Sequence, residues 1–260
     1  MVVQWLSGET AMDIAVCLCQ VPDTASVISV LDGAVDLSRV HEVMNPFDEY
    51  ALEEAVRLKE RFEGSVVTLF CAAPPSAKEM LRKALALGGD RAVLISGTEE
   101  PSDPFQTALL LSRAISACYA TALPDLILCG KHSTDFQSAQ VPLMLAELLD
   151  IASVSAIIKL NASTEGIQVE REIEGGIELL DLHYPALFSV EKGLNVPRKT
   201  TIKAVIEARK KPIEHLSLTL SESPFVAITA MKPLIRKKQC RFVSDAKELI
   251  RLLSHEEALF

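Results

Sequence analysis

The chain has 260 residues, of which 49% are hydrophobic, 23% charged and only 5% aromatic. That length fits one α/β domain, or one domain with a C-terminal extension, and that balance excludes a disordered chain. The net charge of −9 speaks against general nucleic-acid binding, and no apolar run approaches the roughly 20 residues that a membrane helix needs. Residues 1–13 lack a basic cluster ahead of an apolar core, so they do not read as a signal peptide, and a cytoplasmic location without membrane insertion is expected. With few aromatics, the core must come from Leu, Ile, Val and Ala, which suits helices packed on a parallel sheet.

Residues 13–21 form an apolar run ending at Pro22, which predicts a first strand. Asn45-Pro46 then opens a helix, with Asn45 as N-cap and Pro46 at the first helical position. Glu49, Glu53 and Glu54 load its first turns, and Arg57, Lys59 and Arg61 its last, in keeping with the helix dipole. Further strands are predicted at residues 65–72, 91–96 and 126–130. Helices are predicted at 76–87, closed by Gly88-Gly89, at 104–120, and at 138–149. This alternation, repeated four times, predicts a mostly parallel twisted sheet with helices on both faces, of the adenine-nucleotide-binding, Rossmann or flavodoxin-like kind. Such sheets bind ligands at the carboxyl ends of their strands. The candidate ligand loops are therefore residues 20–24, 43–47, 72–75 and 130–137.

After Asp150 the pattern changes to short strands at 153–160, 167–172 and 176–182, the last two joined in a hairpin. A strand at 185–190, an irregular stretch at 191–200 and a short helix ending at Arg209-Lys210-Lys211 follow. Residues 216–233 carry little helix signal, and 244–253 read as a final amphipathic helix capped by Ser244. The expected partition is an α/β nucleotide-binding domain over 1–215 and a C-terminal arm over 216–260. Such an arm has little core of its own and is expected to pack on another chain.

The six cysteines form no Cys-x-x-Cys pair, and most sit inside apolar runs, so they read as small buried hydrophobes. Nine basic residues crowd the last third: Lys203, Arg209, Lys210, Lys211, Lys232, Arg236, Lys237, Lys238 and Arg241. They make either a solvated surface or a docking surface for an acidic partner. There is no phosphate-binding Walker loop, no Gly-x-Gly-x-x-Gly, no metal-ligand histidine spacing and no nucleophile–base pair. The residues alone imply an α/β protein that binds a nucleotide-like ligand at its strand ends and has no catalytic site of its own.

Five blocks carry a resemblance. Residues 45–60, Asn45-Pro46-Phe47-Asp48-Glu49 onward, resemble the helix-opening signature of electron transfer flavoprotein beta subunits. Residues 84–92, the Gly130-Lys131 loop with Asp135, the hairpin at 169–178, and Leu194-Asn195-Val196-Pro197-Arg198 resemble later blocks of that family, in the family's order. The resemblance implies a heterodimer with an alpha subunit, a redox FAD shared with that subunit, and a structural AMP. It puts AMP contacts at Cys17, at Asn45, Pro46, Phe47 and Asp48, at Cys71, and along Gly130-Lys131-His132-Ser133-Thr134-Asp135-Phe136-Gln137-Ser138-Ala139-Gln140-Val141. Phe47 would face the flavin edge or act as a staple under its helix. Leu194, Asn195, Pro197 and Arg198 would meet flavin-dependent dehydrogenases such as acyl-CoA dehydrogenases, with Leu194 as an exposed apolar anchor. The family usually has a basic residue where this chain has Cys19. Ser138-Ala139-Gln140-Val141 resembles the loop of bifurcating members, which hold a second FAD and use NADH. Phe136, where those members have glycine, favours AMP over a second FAD, or else closes the site so that no nucleotide binds. The alternative of another class is a non-redox adenine-nucleotide-binding regulatory protein.

Overall fold

The computed structural model describes residues 11–38, 40–97, 103–233 and 240–255. The first ten residues, and Arg236, Lys237 and Lys238 of the basic cluster, lie outside them.

β1 (Asp13–Cys17) is an interior strand of a nine-stranded sheet. Its apolar run ends earlier than expected, because residues 20–22 turn away as β2 (Gln20–Pro22). β3 (Ser29–Leu31) and β4 (Ala34–Asp36) form a small hairpin, and β5 (Glu42–Met44) returns to pair with β2. α1 (Pro46–Arg61) follows. Asp48 and Glu49 lie in its first turn and Lys59 and Arg61 in its last, and Ala51, Leu52, Ala55, Val56 and Leu58 are buried. β6 (Val66–Ala72) lies parallel to β1. A short 3-10 turn (Pro75–Ala77) leads into α2 (Lys78–Leu87). Gly88 ends α2 at φ +140°, and a Cβ there would lie 2.5 Å from Val56 Cγ2, so the chain can turn into β7 (Arg91–Gly97) only with glycine.

α3 (Pro104–Cys118) and β8 (Leu126–Gly130) come next, and β8 lies parallel to β1 on the side opposite β6. α4 (Val141–Leu149) starts three residues later than expected. Gln137 and Ala139 both take φ +55°, the left-handed region, which a right-handed helix cannot include. β9 (Ala152–Ala162), β10 (Ile167–Ile173), β11 (Gly176–Leu182) and β12 (Ala186–Val190) extend the sheet, with β10 and β11 antiparallel. α5 (Ile202–Ala208) precedes β13 (Ile213–Leu218), which pairs parallel to β7 at the far edge. β13 crosses position 215, where the expected domain boundary lay, so the core sheet runs on to Leu218. α6 (Ala246–His255) is the last helix.

The strand order is β11-β10-β9-β12-β8-β1-β6-β7-β13. The core divides into two clusters, one under α1 and α2, the other under α3 and α4. The α/β fold expected from the alternation is therefore present, with helices on both faces. Lys211 does not belong to a free basic surface. Its ammonium donates to the carbonyls of Leu85 (3.0 Å) and Gly89 (2.6 Å) and closes the end of α2.

Candidate functional site

From β1 the chain moves one way across the sheet, to β6 and β7. It then returns to place β8 on the other side of β1. This is a point where strand order reverses, and it opens a crevice at the carboxyl ends of β1 and β8. Cys17 ends β1 directly opposite Cys129, and Gly130 ends β8.

Asp48, in the first turn of α1, knits this crevice together. It is only 4% exposed. Its Oδ2 accepts the N–H of Cys19 at 2.6 Å, and its Oδ1 accepts the N–H of Gly130 at 3.0 Å and the amide of Asn45 at 2.9 Å. Asn45 also donates to the carbonyl of His132 at 2.9 Å, and its own N–H reaches the carbonyl of Cys19 at 2.9 Å. The expected cap is thus corrected: the Asn45 side chain caps no helical N–H, and instead ties α1 to the loop after β8. Its Oδ1 is buried without a hydrogen-bond partner, as is Oε1 of Gln20 on β2. Gly130 cannot be another residue, because a Cβ there would lie 2.2 Å from Asp48 Oδ1 and 2.8 Å from Phe47 Cβ.

Phe47 packs against the His132 ring at a 60° tilt, with centroids 4.5 Å apart, and the Lys131 ammonium lies 5.8 Å from the centroid of the Phe47 ring. Lys131 also pairs with Glu191, just past β12. Ser133 and Thr134 are half-buried, whereas residues 135–140 are exposed, with Phe136 63% exposed. The sign of φ alternates from Gln137 to Gln140, which turns successive N–H groups to one side. No side chain caps α4. Pro142 removes one N–H from its first turn and leaves those of Val141 and Leu143 for an anion. Cys71, at the end of β6, is fully buried on the α1 side of the sheet, while Cys17 is buried on the other.

Burial pushes the Asp48 carboxyl up to about 7, against the pull of the Cys19, Asn45 and Gly130 donors, and Glu49 adds to the rise. A carboxyl raised on folding binds more protons in the folded state, so its contribution to stability is full at low pH and is lost as pH rises through about 7. Between about pH 5 and 8, unfolding free energy should therefore fall with rising pH by more in the native chain than in Asp48→Asn. Denaturant unfolding at several pH values measures this, and equal slopes for both proteins would refute it.

The second predicted cluster lies along the outer side of α1. Asn195 is 8% exposed and donates to the Tyr50 carbonyl and the Glu54 carboxylate, both at 2.9 Å. Arg198 reaches Glu53 (2.8 Å) and Glu60. Glu53 and Glu54, read in the sequence as dipole partners, are buried and hold this loop instead. Burial raises Glu53, but Arg198 and Arg57 hold it below the ordinary carboxylate value. Leu194 is not the exposed anchor expected of it. It is half-buried and packs on the main core, and the exposed apolar residue of the loop is Val196, at 78%. Pro197 is half-buried between Val196 and Arg198.

Asp103 escaped the sequence reading. Its Oδ1 caps α3 through the N–H of Gln106 (2.8 Å), and its Oδ2 takes the N–H of Phe225 (2.7 Å) and of Val226 (3.2 Å) in the arm. The arm also meets the β3–β4 hairpin, where the N–H of Met231 donates to the Gly33 carbonyl at 2.7 Å. Phe225, Val226, Ile228 and Phe242 in the arm, and Val27 and Leu31 at the hairpin, are exposed. In α6, Leu252 is buried while Leu249 and Ile250 are exposed. No helix of the described residues is long and apolar enough to cross a membrane, and no cluster there could hold a metal ion.

The electron transfer flavoprotein domain matches residues 32–221. The electron transfer flavoprotein subunit beta of Bacillus subtilis (strain 168) is 34% identical, over 95% of this chain and 93% of its own length. Protein FixA of Azotobacter vinelandii is 32% identical over 92% of each chain. The electron transfer flavoprotein subunit beta of Megasphaera elsdenii is 35% identical, over 79% of this chain and 78% of its own.

Proposed function

The chain belongs to the electron transfer flavoprotein beta-subunit family, and we propose that it works in the cytoplasm as half of a heterodimer that carries electrons between flavin-dependent dehydrogenases and a downstream acceptor. It is a carrier subunit rather than a catalyst. The alpha subunit holds most of a redox FAD. The arm and the β3–β4 hairpin supply the apolar surface for that subunit, since Phe225, Val226 and Ile228 in the arm and Leu31 in the hairpin are exposed. The loop of Leu194, Asn195, Pro197 and Arg198 meets the dehydrogenase. With Leu194 turned inward, Val196 offers the apolar contact there.

The crevice at β1 and β8 takes an AMP. The observation that carries this reading is the start of α4, which no side chain caps and which follows the loop that Asp48 holds through Gly130. AMP would lie against Cys17, Asn45, Phe47 and the 130–141 loop, with its phosphate toward Val141, while Cys71, fully buried on the opposite face of the sheet, would stand behind the site rather than touch the nucleotide. A second reading is a further FAD in the same crevice. It gains from Phe136, whose ring is 63% exposed and so is not packed into the core.

Co-expression with an alpha subunit and analysis of the nucleotides released by denaturation tests both readings. One FAD and one AMP per heterodimer is the expected result. Two FAD per heterodimer would replace the AMP reading with the second one, and a colourless product without flavin would overturn the carrier reading.

A further inference from the structure

We infer that Glu53 is the positioning residue of the 194–198 loop: from within α1 it fixes the shape in which Val196 meets a flavin-dependent dehydrogenase, while Glu53 itself stays beneath the surface. The inference rests on the dehydrogenase reading of that loop given above.

The loop cannot hold its own shape. Residues 191–201 contain no helix or strand. The N–H of Leu194 reaches the Glu191 carbonyl at 3.4 Å, and among the described residues no backbone N–H of 195–200 reaches a backbone carbonyl. Side chains of α1 take over. Asn195 is tied to the Tyr50 carbonyl and to Glu54, both at 2.9 Å. Arg198 is held by Glu53 at three points. Its backbone N–H reaches Oε2 at 3.1 Å, its Nε reaches the same oxygen at 2.8 Å, and its Nη2 reaches Oε1 at 3.3 Å. Arg57, one turn further along α1, donates its Nε to Glu53 Oε1 at 2.8 Å and its Nη2 to the Val196 carbonyl at 3.5 Å. One carboxylate therefore holds Arg198 and also steadies the arginine that reaches Val196.

Val196 stands between these ties, 78% exposed. Asn195 before it and Arg198 after it are both fastened to α1, and Pro197 has its φ fixed by its ring. An exposed apolar side chain on a braced backbone is a contact for a partner, and it has little ordering left to lose on binding.

Arg198 also reaches Glu60, at 2.5 and 3.0 Å. The two acids are not equivalent. The Glu53 side chain is 5% exposed and that of Glu60 is 58% exposed. Water competes for Glu60, so that pair adds little. Water cannot take the place of Glu53 without opening the contact between the loop and α1. Gln at position 53 keeps the volume but loses the charge, and it turns one of two acceptor oxygens into a donor that faces an arginine. The loop then loosens around Val196.

The test uses the full heterodimer and a flavin-dependent dehydrogenase that reduces it, an acyl-CoA dehydrogenase with its acyl-CoA being the first probe. Steady-state electron transfer separates the KM for the heterodimer from kcat. Glu53→Gln should raise that KM about tenfold and leave kcat within about twofold, with the visible flavin spectrum unchanged. Glu60→Gln should change the KM by less than about twofold. Val196→Ala should raise the KM in the native background and add little on top of Glu53→Gln, because the loosened loop no longer presents Val196. Should Glu53→Gln fail to assemble, amide hydrogen exchange in the unmodified heterodimer should find the Arg198 N–H protected and those of Lys199 and Thr200 exchanging freely. An unchanged KM in Glu53→Gln, a fall in kcat instead, equal effects of Glu53→Gln and Glu60→Gln, or an unprotected Arg198 N–H would each overturn the inference and leave the dehydrogenase reading standing. A native heterodimer that no flavin-dependent dehydrogenase reduces would overturn that reading and this inference with it.

Discussion

Gly130→Ala should unfold more readily than the native chain by about 4 kcal/mol and should retain no nucleotide. The added Cβ would lie 2.2 Å from Asp48 Oδ1, 2.8 Å from Phe47 Cβ and 2.9 Å from the Asp48 nitrogen. Two of these neighbours are the backbone and the first side-chain carbon of α1, which cannot swing aside. Asp48 would have to move, and its bonds to Gly130 N–H, Asn45 and Cys19 N–H would go with it. Overpacking of this kind costs about 1–3 kcal/mol, and each buried polar group left unpaired costs about 1–3 more. In a chain of this size such a loss lowers the thermal midpoint by about 10 °C. Gly176→Ala is the control, because no atom lies within 4 Å of its would-be Cβ, and it should change stability by less than about 1 kcal/mol. Thermal unfolding of both variants as heterodimers decides the matter. Equal midpoints would mean that the seam between α1 and β8 is not the rigid element described above.

The parts of the fold that could be read from the sequence were those set by local pattern. Residues 126–130 are apolar on both faces, as a strand buried between two helical layers must be, and β8 has those bounds. Pro46 and the acid-to-base gradient placed α1 in the same way. β13 escaped because it is an edge strand with half its residues exposed, so its pattern of burial resembles a loop. The start of α4 escaped because left-handed backbone falls on Gln137 and Ala139, where no glycine announces it.

For the site, the switch-point rule located the right loops, but not what joins them. Asp48 and Gly130 are 82 positions apart, and Arg198 and Glu53 are 145 apart. Asp48 and Glu53 both look like ordinary acids near a helix start, and only the packed fold shows that they hold two loops. Leu194 misled for the opposite reason. Polar neighbours in sequence suggested exposure, while the strap of Asn195 and Arg198 onto α1 turns it inward.

Asp103→Asn should leave the helical core intact and free the C-terminal arm, and Asp103→Ala should do both kinds of damage. Asp103 sits 7% exposed at the start of α3, and its two oxygens serve different masters. Oδ1 caps the helix through Gln106 N–H, and Oδ2 accepts two N–H groups of the arm, from Phe225 and Val226. Asparagine keeps one acceptor for the cap but presents an NH2 group where the arm needs an oxygen, so donor faces donor. Loss of the cap costs about 1 kcal/mol, and loss of two bonds to a carboxylate about 2 kcal/mol more. The remaining arm contacts are weaker anchors. The Phe105 and Phe225 rings lie 4.4 Å apart on an exposed edge, and the Arg113–Glu222 pair is more than a third exposed on both sides, where salt and water screen it. Asp103→Asn should therefore shift the unfolding midpoint little, yet expose residues 219–226 to limited proteolysis. If the arm packs on the alpha subunit as proposed, the heterodimer should also dissociate about tenfold more readily, since ordering a loose arm must then be paid at binding. Proteolysis and subunit dissociation unchanged in Asp103→Asn would show that the arm is held by its apolar contacts and not by this carboxylate.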